Sequence, residues 1–339
     1  MAETTTNSTD PQQIAKRYIE QIPAPSSLFT TCIRAIKNAE MALHGGDLMV
    51  LKDLTISSTA FILSVSPTLK AVFYRAAENI HPKELKELNP LSTKALIGLF
   101  QPNEVTAILT ITYLYRHLKK VSNSEDYAKL IKKLLTHAEI GAIVGRTIRN
   151  IGTGNGMLLG GLRYFSLALI MLADAKKFQD YYRKAERNDK LFDLVAERQI
   201  FGCTHLDIAG HLARIFGFGL ITTSGFMLAH AKEAPSNFSE QMEEELLCWR
   251  VAFSLTEAFH EKGSAPEVDE SSELYLPPEE SASLKKQCWE VIRDGCSYTW
   301  LTAAKNDLPE EIRRALEITI KGSQKLGIED LEEGEDGVA

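Results

Sequence analysis

The sequence predicts an all-α fold, and three observations predict it. Apolar residues recur at spacings of three and four along most of the chain, the signature of helices with one buried stripe each. Prolines stand where several of these stripes begin, a position that tolerates their missing N–H. Convincing period-two alternation, which a half-buried strand needs, is absent.

Taken in order, Leu28, Cys32, Ile36, Ala39 and Leu43 form the first clear stripe, over 28–43. A second apolar helix covers 54–65, and Pro67 opens a third that carries Leu69, Val72, Phe73 and Ala76. Residues 82–90, bounded by prolines, form a short helical connector. Pro102 starts a strong helix reaching 118, and a long one follows over 125–148. Gly152, Gly154 and Gly156 then break the pattern, ending one helix before a very apolar helix over 157–173. Further helices fall at 176–187, 191–201, 204–216 and 220–231. Thr204 is placed as an N-cap, with Asp207 three residues on as a weak capping box. After Pro235 a long helix spans 239–261, and two more cover 281–305 and 309–326. No repeat of fixed period is present.

Composition is that of a soluble globular chain: 339 residues, 44% hydrophobic and 24% charged. No window approaches the roughly 18 apolar residues needed to span a bilayer, and the richest stretch, 157–173, is broken by Arg163 and three small residues. The polar start MAETTTNSTDPQQ has no apolar signal core, so the expected location is the cytoplasm, without membrane insertion. Five cysteines at wide, irregular spacing, with no CxxC pair, point to reduced thiols rather than zinc ligands or a disulfide framework.

The net charge of −7 is unevenly distributed. Residues 264–281 and 329–336 each hold six acids and no base, and setting those twelve aside leaves 33 acidic against 38 basic residues. A mildly basic body with acidic appendages suits an anionic small molecule, although the same balance describes an ordinary solvated surface. It falls short of the basic density of a dedicated nucleic-acid binder, so nucleic acid is not an expected partner.

From Ile22 to Ala231 the order of segments resembles the HDOD family, the HD-related output domains of bacterial signalling. IPAPSSLFTTCIRAI is similar to that family's Pro-rich approach to its first helix, and DLTISSTAFILSVSP to the helix after it. Ser57-Ser58 and Val65-Ser66 stand there in place of the family's usual Asp-Pro and Asn-Ser. STKALIGLFQPNEVTAILTI occupies the place of the family's Ala-Ile…Leu-Gly turn. HAEIGAIVGRTI, at His137, resembles the helix carrying the first histidine of HD proteins. ERQIFGCTHLDIAGHLARIFGF, Glu197 to Phe218, is the most specific piece, with Phe216 where Trp is usual. The resemblance implies an HD/HDOD-like helical bundle with additional C-terminal helices. The organisation is then a polar N-terminal extension and first helix over 1–21, an HDOD-like domain over 22–232, a C-terminal helical region over 236–326 with an acidic loop at 263–278, and an acidic tail over 327–339.

The decisive segment is MLLGGLRYFSLAL. An active HD phosphohydrolase has a Gly-Leu-Leu-His-Asp-type sequence there, whose His and Asp bind metal. In this chain those positions fall on Tyr164-Phe165, which cannot replace an imidazole and a carboxylate. The resemblance therefore implies a scaffold without catalytic or metal-ligand residues, needing no cofactor. Its function would be non-catalytic signalling through a protein partner, an anionic small molecule or a nucleotide. The alternative is a divergent metal-dependent phosphohydrolase acting on a nucleotide or phosphate ester.

The candidate ligand-binding residues are His137, Arg163, Tyr164, His205 and His230. The histidines fall near His positions of the HD scaffold, but satisfied core-edge histidines are the plainer reading. Arg163 interrupts an apolar helix, so if buried it needs a partner or a ligand. The old cleft is expected to survive unless Tyr164 and Phe165 fill it. Around it Arg146, Arg149, Lys176, Lys177, Arg183, Lys184 and Arg187 bring positive charge, more economically read as solvated helix faces. Gly152-Thr-Gly154-Asn-Gly156 superficially resembles a phosphate loop but lacks both a preceding strand and a following Gly-Lys-Ser/Thr.

Overall fold

The computed structural model describes residues 10–42, 47–121, 124–188, 190, 192–230 and 238–318. Within them lie sixteen α-helices and no strand: α1 (Pro11–Ile19), α2 (Ser27–Ala42), α3 (Leu48–Val65), α4 (Pro67–Ile80), α5 (Pro82–Glu87), α6 (Thr93–Ile97), α7 (Pro102–Val121), α8 (Glu125–Gly145), α9 (Gly152–Ala173), α10 (Ala175–Arg187), α11 (Leu194–Phe201), α12 (His205–Phe216), α13 (Gly219–Met227), α14 (Glu240–Lys262), α15 (Pro278–Asp294) and α16 (Glu310–Ala315). The all-α expectation holds. Residues 191 and 231, at the ends of two expected helices, and everything beyond 318, including the acidic tail, lie outside the described residues.

Local chemistry sets most boundaries. Asp47 accepts a hydrogen bond from the Met49 N–H at 2.9 Å and starts α3 six residues earlier than its apolar pattern indicated. Pro67, Pro82 and Pro102 each open a helix. Thr204 and Asp207 form a complete capping box at the head of α12. The helix expected over 281–305 instead stops at Asp294, because Gly295 adopts φ 91°, a conformation that continues no helix. Two 3₁₀ turns, Thr299–Thr302 and Lys305–Asp307, replace its second half.

The glycine-rich stretch corrects the sequence reading. α9 begins at Gly152, so Gly154 and Gly156 lie inside its first turns rather than between helices. They serve close packing. A Cβ on Gly156 would sit 2.1 Å from the Gly141 carbonyl oxygen, and one on Gly160 would sit 2.0 Å from that of His137. Because residues ascending along α9 meet residues descending along α8, the two helices run antiparallel with their backbones almost touching.

α9 is the axis of the molecule, packed by α7, α8, α10, α12 and α14. Its residues Met157 to Met171 are all buried, and a Leu, Met or Phe buried there contributes about 1.5–3 kcal/mol. The same apolar core takes in Ala15 of α1, Trp249 and Phe253 of α14, and Trp300 of the first 3₁₀ turn. A smaller cluster joins Ile140 and Val144 of α8 to Phe259 of α14 and Cys288 of α15. Two buried cations fasten the C-terminal segment: Lys70 Nζ donates to the Leu316 carbonyl at 2.7 Å, and Arg116 donates to those of Leu301 and Ala303 at 3.2 and 2.6 Å. In the 263–278 stretch Glu267, Asp269, Glu270 and Glu273 are exposed.

Contrary to the expectation that no window approaches a membrane span, α3 and α9 are each long and apolar enough, by length and composition, to cross one. They differ in surroundings: 89% of the apolar window of α9 is buried in the protein, against 28% for α3.

Candidate functional site

α9 carries Arg163 and Tyr164 into the interior, at 0% and 1% exposure. α8 delivers His137, brought close by the absent side chain of Gly160. The head of α12 delivers His205, and α14 delivers Glu257 and His260 from one face, three residues apart. Phe192, just before α11, and Phe253 on α14 enclose the guanidinium, which lies 4.0 and 4.8 Å from their ring centroids.

Arg163 is held from two sides. Nη2 donates to Glu257, while Nε donates to His205 Nε2 at 3.3 Å. His205 Nδ1 lies 2.8 and 2.9 Å from the two carboxylate oxygens of Glu197. These partners fix the tautomer: Nδ1–H donates to Glu197, and the Nε2 lone pair accepts from Arg163. Glu197 is fully buried and takes two further donors, the His205 backbone N–H at 2.8 Å and the Tyr181 hydroxyl at 2.6 Å. A continuous chain therefore runs from Glu257 through Arg163 and His205 to Glu197 and Tyr181. Burial raises the Glu257 carboxyl, but Arg163 and then His230 outweigh it and hold the group below the usual carboxylate range.

Beside this chain, His137 Nδ1 lies 2.9 Å from His260 Nδ1, so one ring donates to the other and the accepting ring is neutral. Burial first, then His260 and Arg163, drives His137 well below the usual histidine range. Burial first, then Lys133 and Arg163, pushes His260 down to about 4. The His137 and Tyr164 ring centroids are 5.1 Å apart. Buried polar atoms in this cluster that face no hydrogen-bond partner include His137 Nε2, Arg163 Nη1 and the Tyr164 hydroxyl.

Four of the five sequence candidates, His137, Arg163, Tyr164 and His205, thus meet in one place. His230 stands at the edge, 39% exposed, with Nε2 3.7 Å from the Glu257 carboxylate. In place of the open cleft expected at these residues, the guanidinium and the aromatic and imidazole rings pack together without solvent exposure at Arg163, His137 or His205. Sequence reasoning missed Phe192, Glu257 and His260 as participants. α14 carries many charged residues, so nothing local set Glu257 and His260 apart from its solvated ones.

The HD scaffold would hold a metal here, and the residues present do not fit one. Among the described residues no group of three or more His, Cys, Asp or Glu is arranged to ligate a metal ion. His205 has both ring nitrogens engaged, Glu197 is saturated by donors, and Glu257 is taken by Arg163. A metal cation would also have to share the space with a permanent guanidinium charge.

The more distant basic residues do not join the cluster. Arg146 donates to Gln287 at 3.3 Å, and Arg149 lies 3.6 Å from Glu244. Lys176, Lys177, Lys184 and Arg187 are exposed, and Arg183 lines a separate groove.

No protein-family model and no curated protein matches the sequence. Solved structures do match. An HDOD domain protein of unknown function from Geobacter sulfurreducens superposes with TM-score 0.50 and 15% identity, covering 91% of this chain and 98% of that one. A protein proposed to be a phosphohydrolase from Shewanella amazonensis SB2B gives TM-score 0.46 and 13% identity over 94% and 97% of the two chains. The MmoQ response regulator from Methylococcus capsulatus gives 0.32 and 15% over 78% and 94%. The first superposition, over nearly the whole of both chains, agrees with the segment order read from the sequence: the chain has the fold of an HDOD domain protein.

Proposed function

We propose that the chain is a non-catalytic regulatory module of bacterial signal transduction, cytoplasmic and acting by binding a protein partner or a small anionic ligand. One observation carries the reading: the interior where the HD scaffold would bind metal is built around the Arg163–Glu257 ion pair, with His205 and Glu197 engaged in its support. A buried guanidinium stabilises a carboxylate and repels a second cation, which suits a structural centre better than a hydrolytic one.

The test is elemental analysis joined to an activity assay. The purified protein is expected to hold well under a tenth of an equivalent of transition metal and to leave bis(p-nitrophenyl) phosphate intact when manganese or iron is supplied. One or two metals per chain retained after mild chelation, with turnover abolished by Glu197→Gln, would establish the divergent phosphohydrolase instead.

A further inference from the structure

A groove of about 600 Å³ lies between α8 and α10, outside the buried cluster. Its volume falls within the range of small-molecule sites. Leu130, Met171, Phe178 and Tyr182 give it an apolar floor, on which the Phe178 and Tyr182 rings stack with centroids 5.5 Å apart and planes 20° from parallel. Its charged lining comprises Lys129, Lys132, Lys133 and Arg183 against Asp126 and Glu186. Several of these charges are already matched. Lys133 donates to the Tyr182 hydroxyl and lies 3.4 Å from Glu186, Lys129 pairs with Glu125 at 2.8 Å, and Gln179 donates to Asp126 at 2.8 Å. Lys132 and Arg183 have no ion pair or hydrogen bond among the described residues. The inner wall is His260, the residue that also meets His137.

We propose that this groove binds a planar aromatic anion, with its ring against Phe178, Tyr182 and Met171 and its phosphate, sulfonate or carboxylate group between Lys132 and Arg183. Stacked rings and a thioether offer a flat polarisable surface to a ring. Two unmatched cations, one of them a planar fork, offer an anion its donors. A bare inorganic anion would leave the apolar floor uncovered, and a neutral ring would leave the charges unused. The inference rests on the binding role proposed above and gives it a site and a ligand class.

The probe is 1-anilinonaphthalene-8-sulfonate, an aromatic sulfonate, titrated into the full chain by fluorescence and displaced with phenyl phosphate. One saturable site is expected, displaced by phenyl phosphate at concentrations where phenol and inorganic phosphate have no effect. The double change Lys132→Ala, Arg183→Ala should weaken binding at least tenfold. Thr136→Phe, which fills the groove from α8, should do the same, and Phe61→Ser on the distant exposed face of α3 should leave it unchanged. At saturation the His260 ring resonances should shift. Absence of a saturable site, equal displacement by inorganic phosphate, or unaltered affinity in both groove variants would overturn the proposal. Hydrolysis of bis(p-nitrophenyl) phosphate by the same preparation would overturn the non-catalytic reading separately, so the two failures are told apart.

Discussion

Helices α3 and α9 are almost equal in apolarity, yet one lies at the surface and the other forms the centre. On α3, Leu48, Met49 and Phe61 are exposed by 78, 69 and 60%, whereas every residue of α9 from Met157 to Met171 is buried. Apolar content alone does not decide which helix becomes the axis. α3 contains no glycine, while α9 has five, and three of them lie against backbone of α7 or α8 at distances no side chain allows. Neighbouring backbones can therefore surround α9 on several sides, and its side chains find partners in every direction. An apolar sequence creates a demand for burial, and the small residues determine how fully it is met.

Gly156→Leu tests that comparison most severely. The new side chain must displace the Gly141 carbonyl, so the α8–α9 contact cannot form, and a loss above about 4 kcal/mol is expected, read as a collapse of the melting transition. If this variant melts like the parent, glycine contact is not what places α9.

Arg163→Met should cost about 3 kcal/mol, because it leaves the Glu257 carboxylate, only a quarter exposed, without its counter-charge. Adding Glu257→Leu should recover most of that loss in thermal denaturation, since a matched apolar pair replaces an ion pair. Failure of the second change to recover stability would show that the His205 arm, rather than the ion pair, carries the effect.

Acidification should give a graded response. A histidine whose folded value is lowered stays neutral in the folded protein while the unfolded chain takes up a proton. Stability is therefore full above the ordinary value of 6.5 and falls as pH drops toward the His260 value of about 4. Each such histidine contributes at most about 1.4 kcal/mol per pH unit in that window. The depressed Glu257 carboxyl adds a loss of the same sign below its ordinary 4.5. His260→Gln should flatten the slope of melting temperature between pH 6.5 and 4.5, and an unchanged slope would assign it to other groups.

The smallest expected effect belongs to α3: Phe61→Ser should alter stability by no more than about 0.5 kcal/mol in urea denaturation, because more than half of the residue is already in water. A large loss would mean that this face is covered in solution.

The sequence made the helices legible because caps, prolines and periodicity are local. Thr204 with Asp207, and the prolines at the heads of α4 and α7, act within a turn of their own position. Part of the site was legible for a related reason: Arg163 was conspicuous as a charge in an apolar helix, and His137 and His205 stood in segments resembling a known scaffold. Glu257 and His260 were not, since the partners that give them meaning lie 94 and 123 residues away along the chain. The glycines misled because a run of them ordinarily ends a helix, and only the neighbouring backbones show that these permit contact. Gly295 stopped α15 inside a stretch whose apolar residues still suggested a helix.

That 94-residue separation also sets a timetable for synthesis. A ribosome adds roughly 5–20 residues per second, so Arg163 is made on the order of 5–20 s before the glutamate that neutralises it. During that interval the nascent α9 carries a guanidinium that cannot be buried without its counter-ion, which disfavours early, complete closure of the interior around it. The final compaction of the chain thus waits on α14, and the fraction most exposed to chaperones and proteases is the polypeptide that has Arg163 but not yet Glu257.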